Sequence, residues 1–118
     1  MVISVEGGFD LRWYPQLAWW QRLRGLLGRP EPLPGEAWWF MPCRAVHTVG
    51  MRYCIDVVFL DAGGIVLRVC RALPPGRMAV HWRALSVVEL ATGECRRLGI
   101  QPGSRLQPPA RTRQRLQR

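Results

Sequence analysis

Two apolar runs, Ile55–Leu60 and Ile65–Cys70, flank Asp61-Ala62-Gly63-Gly64, and this pairing restricts the fold more than any other feature of the chain. Each run has the length of a strand, and the glycines supply the positive φ that a tight antiparallel hairpin needs. In the second run Ile65, Leu67 and Val69 alternate with Val66, Arg68 and Cys70, which predicts one core face. Further short β-prone runs are Ala37–Met41, Arg77–Trp82, Leu85–Ala91 and Ser104–Leu106, set off by Pro74-Pro75-Gly76 and Pro102-Gly103. Helical periodicity is confined to Gln16–Leu27, where Leu17, Trp19, Trp20, Leu23, Leu26 and Leu27 recur every three or four positions. Pro15 suits the first turn of that helix and Gly28 its exit. Pro30 to Gly35 then reads as a connector, and a short helical turn fits Thr92–Leu98. The pattern predicts a mainly β domain, a small β-sandwich or partly open barrel with an N-terminal amphipathic helix and a short second helix.

With 118 residues, 48% of them apolar, the chain has the means for one self-supporting core. We expect a single β-rich domain over residues 1–107 and a disordered Arg/Pro-rich tail over 108–118. The longest unbroken apolar stretch, Ala37–Met41, is too short for a membrane-spanning helix. The first ten residues lack a basic segment followed by an apolar one, so the expected location is cytoplasmic. Formal net charge is +9, and all 17 basic residues are arginine. A chain without lysine reflects coding bias, so the arginines are not by themselves a sign of bidentate phosphate recognition. Arg111, Arg113, Arg115 and Arg118 place a good part of the charge in the tail. Cys43, Cys54, Cys70 and Cys95 form no close pair of the zinc or redox kind, so four reduced thiols are expected, with no metal and no cofactor.

Three stretches taken together resemble a known family. They are Arg24-Gly25-Leu26-Leu27-Gly28-Arg29, the run from His47-Thr48-Val49-Gly50-Met51 through Asp56 to Asp61, and Val88–Gly93 followed by Leu98–Gly103. Their order and spacing are similar to the bacterial and archaeal family called domain of unknown function 192, across roughly residues 10 to 107. The resemblance implies a small β-rich fold and brings no assigned activity. Many members carry Trp-Met where His47-Thr48 stands, proline where Cys54 stands and aspartate where Ser104 stands.

Asp56 and Glu89 each interrupt an apolar run, where an unpaired carboxylate is costly to bury. Asp56 is expected to be a buried strut with Arg24 or Arg52 as counter-ion. Acid/base chemistry would require Asp56 and Glu89 to converge. His47 is expected in a loop leading to a strand, hydrogen-bonded to backbone, with Cys43 four residues earlier. That spacing alone makes neither a metal site nor a nucleophile pair. Six tryptophans include the pairs Trp19-Trp20 and Trp38-Trp39. In each pair one ring should enter the core and the other cap an edge, the sharper alternative being a stacking platform.

These features point to a non-enzymatic module that binds a small molecule or a protein. Its ligand would face His47, Thr48, Met51 and Asp56, with Arg24 and Glu89 nearby. The rival readings are a nucleic-acid-binding module using the basic surface and tryptophans, with weak non-specific contacts through the tail, and a small enzyme using His47, Asp56 and Glu89.

Overall fold

The computed structural model describes residues 2–5 and 9–107; the tail expected at 108–118 lies outside the described residues. The chain runs β1 (Val2–Val5), β2 (Phe9–Gln16), α1 (Trp19–Arg24), β3 (Glu36–Phe40), β4 (Ala45–His47), β5 (Ile55–Leu60), β6 (Val66–Leu73), β7 (Met78–Val80), β8 (Ser86–Ala91), α2 (Glu94–Leu98) and β9 (Leu106–Gln107). Seven strands form one mixed sheet in the order β6-β5-β8-β3-β2-β1-β9, while β4 and β7 make a separate two-stranded ribbon. All named pairs are antiparallel except β2 with β3. The sheet curls until Arg105 bridges Ile65 beside β6, which brings its edges together at one end without closing a barrel. The mainly β, partly open architecture with two short helices is the one expected from the sequence.

Strands β5 and β8 are buried at every position because both faces of the sheet are covered. On one face Val58, Leu60, Val88 and Leu90 pack with Trp39, Cys95, Leu98 and Ile100, so α2 lies on that side. On the other face Ile55, Val57, Phe59 and Val87 pack with Leu26, Val46, Met51 and Ala79, under the ribbon and the loops beside it. Double coverage explains why these strands read as nearly continuous apolar runs. The expected hairpin joins β5 and β6, where Asp61 Oδ1 accepts from Gly63 N (2.8 Å) and Ile65 N (2.9 Å).

Several local expectations are corrected. Strand β6 lacks a single core face: Val66 and Val69 join one cluster, Leu67 and Cys70 the other. Register shifts against β5 cause this, since each extra residue turns the following side chains over. The helix is shorter than its periodicity suggests, because β2 runs through Pro15 and Gln16 in pairing with β3. Gly25, not Gly28, ends the helix, with φ 58° and its N–H donated to Gln21 O at 2.9 Å. Strand β2 itself, with Leu11 and Trp13 buried between exposed Arg12 and half-buried Tyr14, was not anticipated. His47 lies in β4 rather than in a loop.

Of the tryptophan pairs, Trp38-Trp39 behaves as expected: Trp39 is buried, and half-buried Trp38 stacks on Tyr14 (4.8 Å) beneath the Arg29 guanidinium. Trp19 and Trp20 are both exposed, because the shortened helix turns neither ring into the core.

Candidate functional site

The parallel pairing of β2 with β3 requires a long return connection, as any parallel pair does. That return carries α1 and the turn Gly25–Arg29, and the turn has a concavity on either side. On one side a cleft of about 600 Å3 is walled by Leu26, Leu27, Gly28, Arg29, Pro30 and Glu31, and opposite them by Gly50, Met51, Arg52 and Tyr53. Tyr53 Oη lies 3.1 Å from Arg29 O and 3.3 Å from Leu26 O, so one phenol hydroxyl fastens the two walls together. Gly50 has φ +84°, and a Cβ there would stand 3.0 Å from Leu27 Cδ1, so the close approach of the walls favours glycine at this point. Arg24 Nε donates to Leu27 O at 2.8 Å and braces the turn from outside. The floor is apolar through Leu26, Leu27 and Met51, while at the edge exposed Arg52 and half-buried Arg29 outweigh exposed Glu31 and leave the rim positive.

On the other side of Gly25 lies a narrow cavity of about 20 Å3 lined by Arg22, Gly25, Phe40, Cys43, Ala45, Val46, His47 and Glu89. Glu89 is fully buried, and its Oε2 has no hydrogen-bond partner among the described residues. Burial pushes its carboxyl up to about 8, so near neutral pH it is mostly the uncharged acid. Burial also raises the Cys43 thiol, which donates to Ala45 O at 3.1 Å. That direction is the opposite of what activates a cysteine nucleophile.

The residues singled out in the sequence do not meet at one place. Glu89 and His47 share the small cavity, and Met51 borders the large cleft. Thr48 is buried elsewhere as a clasp: its Oγ1 donates to Pro74 O at 2.6 Å and accepts from Arg77 N at 2.8 Å. Asp56 lies on the opposite face of the sheet from Glu89, on the side of Val58 and Leu60. It is the strut expected, but neither Arg24 nor Arg52 is its partner. Its two oxygens accept from Ala72 N (2.8 Å) and Cys95 N (2.9 Å), tying an irregular stretch of β6, where Ala72 has φ 50°, to the start of α2. His47, Asp56 and Glu89 therefore form no single catalytic constellation. Among the described residues no three His, Cys, Asp or Glu side chains gather as metal ligands, and no helix is long and apolar enough to cross a membrane.

Sequence reasoning missed the cleft walls at Leu27, Arg29, Arg52 and Tyr53. The glycines there, Gly25, Gly28 and Gly50, all take positive φ and so announce tight turns, but they do not say what those turns face.

Two solved structures share this architecture. A protein of unknown function from Novosphingobium aromaticivorans DSM 12444 superposes with a TM-score of 0.82 at 21% identity, covering 92% of this chain and 84% of its own. A "putative transcription regulator" from Sinorhizobium meliloti 1021 gives 0.79 at 22% identity, covering 90% and 89%. Identities this low establish the fold alone. No curated protein matches the chain. The family model for domain of unknown function 192 (DUF192), described as an uncharacterized ACR family, matches residues 17–108, and the chain belongs to that family.

Proposed function

We propose that this domain is a non-enzymatic binding module whose ligand is a small organic anion with an apolar body, held in the cleft between the 26–31 and 50–53 segments. The observation that carries this reading is the cleft itself: about 600 Å3 lies within the range of small-molecule sites, and its apolar floor ends beside an arginine. Leu26, Leu27 and Met51 would receive the apolar body. Arg52 would meet the anionic end, since a guanidinium suits carboxylate, sulfonate and phosphate groups alike.

Anilinonaphthalene sulfonate, an aromatic body with one anionic group, is a suitable probe. Its fluorescence should rise saturably with the folded protein. Arg52→Ala should weaken binding several-fold, and Leu27→Trp should block it by filling the cleft. Equal binding by the wild type and both variants, with folding verified by near-ultraviolet circular dichroism, would remove the cleft as the site.

A nucleic-acid reading comes second. In its favour are exposed Trp19, Trp20 and Trp82, the Arg83 guanidinium 4.6 Å from the Trp82 ring, the net charge of +9 and the description of the Sinorhizobium neighbour. Exposed Met78 and Val80 beside Trp82 are aliphatic and offer no base a stacking surface, which places this reading behind the cleft.

A further inference from the structure

The cavity on the other side of Gly25 calls for a different occupant, and its chemistry is independent of the cleft. Glu89 Oε2 and His47 Nδ1 are both buried and both without a hydrogen-bond partner among the described residues. Both residues line the same space of about 20 Å3, room for one water-sized group. Neither nearby donor group reaches these two atoms: Cys43 Sγ donates to Ala45 O, and Arg22 turns Nη1 to Leu17 O at 2.6 Å. Phe40 and Val46 add apolar wall. Gly25 brings bare backbone against the carboxyl, since a Cβ there would stand 3.7 Å from Glu89 Oε1. A buried carboxylate without a counter-ion is costly, and Arg22, the cation that lines the cavity, turns Nη1 to Leu17 O and forms no ion pair with Glu89.

We propose that this cavity binds a single primary ammonium group, which directs its N–H donors to Glu89 Oε2 and His47 Nδ1. An ammonium head is about the size of water, brings the missing positive charge and offers three donors to the two acceptors. The same head is carried by a small free amine and by the lysine side chain of a peptide. Binding requires the carboxylate form of Glu89 and so releases a proton wherever the acid form prevails. The titratable groups that line the cavity with Glu89 are Arg22 from α1 and Cys43 and His47 from β4 and the segment before it, and Tyr53, in the wall of the other cleft, feels its charge. Burial and then the charge of Glu89 hold both the Cys43 thiol and the Tyr53 phenol up, so both stay neutral and Glu89 is the group whose ionisation sets the binding. Affinity should therefore rise about tenfold per pH unit from about pH 6 to 8 and level off above that.

The test follows the carboxyl carbon of Glu89 by NMR in the whole protein, prepared with labelled glutamate. Methylammonium chloride, tetramethylammonium chloride and Nα-acetyl-lysine methylamide are titrated at matched ionic strength. Methylammonium should bind in the millimolar range, as suits so small a ligand, and should lower the midpoint of the Glu89 titration. Tetramethylammonium, which has no N–H and is too bulky, should do neither. A response to the lysine derivative as well identifies a peptide side chain as an admissible source; a response to methylammonium alone restricts the site to free amines. In Glu89→Gln, which keeps the shape of a mostly neutral side chain and should fold, calorimetric affinity for methylammonium at pH 8 should fall at least tenfold. Identical effects of methylammonium and tetramethylammonium on Glu89, or undiminished affinity in Glu89→Gln, would overturn the proposal.

Discussion

Asp56 and Glu89 stand on adjacent strands, are buried to 1% and 2% exposure, and interrupt apolar sequence in the same way, yet they face opposite sides of the sheet and live in different chemistry. Asp56 receives two backbone N–H groups and in return fixes a bulged strand and a helix start. Glu89 receives no hydrogen bond at Oε2 and remains mostly protonated near neutrality. Burial alone therefore does not make a carboxylate structural. What decides is whether the fold aims donors at it, and a buried carboxyl left without them is available to a ligand.

The largest effect should come from Asp56→Ala. It strands two N–H groups at about 1 to 3 kcal/mol each, so urea denaturation should show a loss of about 2 to 6 kcal/mol. Asp56→Asn keeps one acceptor and should lose about half as much. A loss below about 1 kcal/mol in the alanine variant would erase the contrast between the two carboxyls. The next effect is a pH dependence on the Glu89 side. The folded protein keeps a proton on Glu89 up to about pH 8, whereas the unfolded chain releases it near the ordinary value of 4.5. The folded state thus binds more protons in that window, and stability should decline as pH rises, by up to about 1.4 kcal/mol per unit from about pH 5 to 8. In Glu89→Gln the Glu89 contribution to that slope should vanish. Glu94 does not interfere, since its hydrogen bonds to Arg97 hold it below its ordinary value and its contribution is lost only at lower pH. A wild-type profile parallel to that of Glu89→Gln would show that water reaches the carboxyl freely. The smallest effect is kinetic. A thiol reagent should modify half-buried Cys43, on the Glu89 side, before any unfolding, and Cys95, on the Asp56 side, only at the rate of global opening. Equal rates, read by mass spectrometry of the labelled peptides, would mean that the two faces open together.

The sequence disclosed what is local. Asp61 to Gly64 encodes its own turn, so the β5–β6 hairpin was legible, and the apolar run of β8 and the turn at α2 were legible for similar reasons. Strand β2 was not, because its parallel partner lies well along the chain, Arg12 pairing with Glu36, and no local signal announces the pairing. The amphipathic spacing around Trp19 and Trp20 overstated the helix: strand pairing took Gln16 from its start, and the turn at Gly25 took its end. The site divided in the same manner. Glu89 was visible as a polar residue interrupting an apolar run, but the same rule selected Asp56, whose partners are backbone groups that only the folded chain brings near. The cleft walls were invisible because Leu27 and Tyr53 look like ordinary apolar residues until two loops are placed against each other.

The parallel pairing of β2 with β3 also has an evolutionary consequence. Its return connection borders both concavities, while the strands it joins are held by their neighbours β1 and β8. On the proposed reading, substitutions, insertions or wholesale exchange within that return would redirect ligand choice while leaving the sheet as scaffold, so recognition could change without the folding problem being solved again.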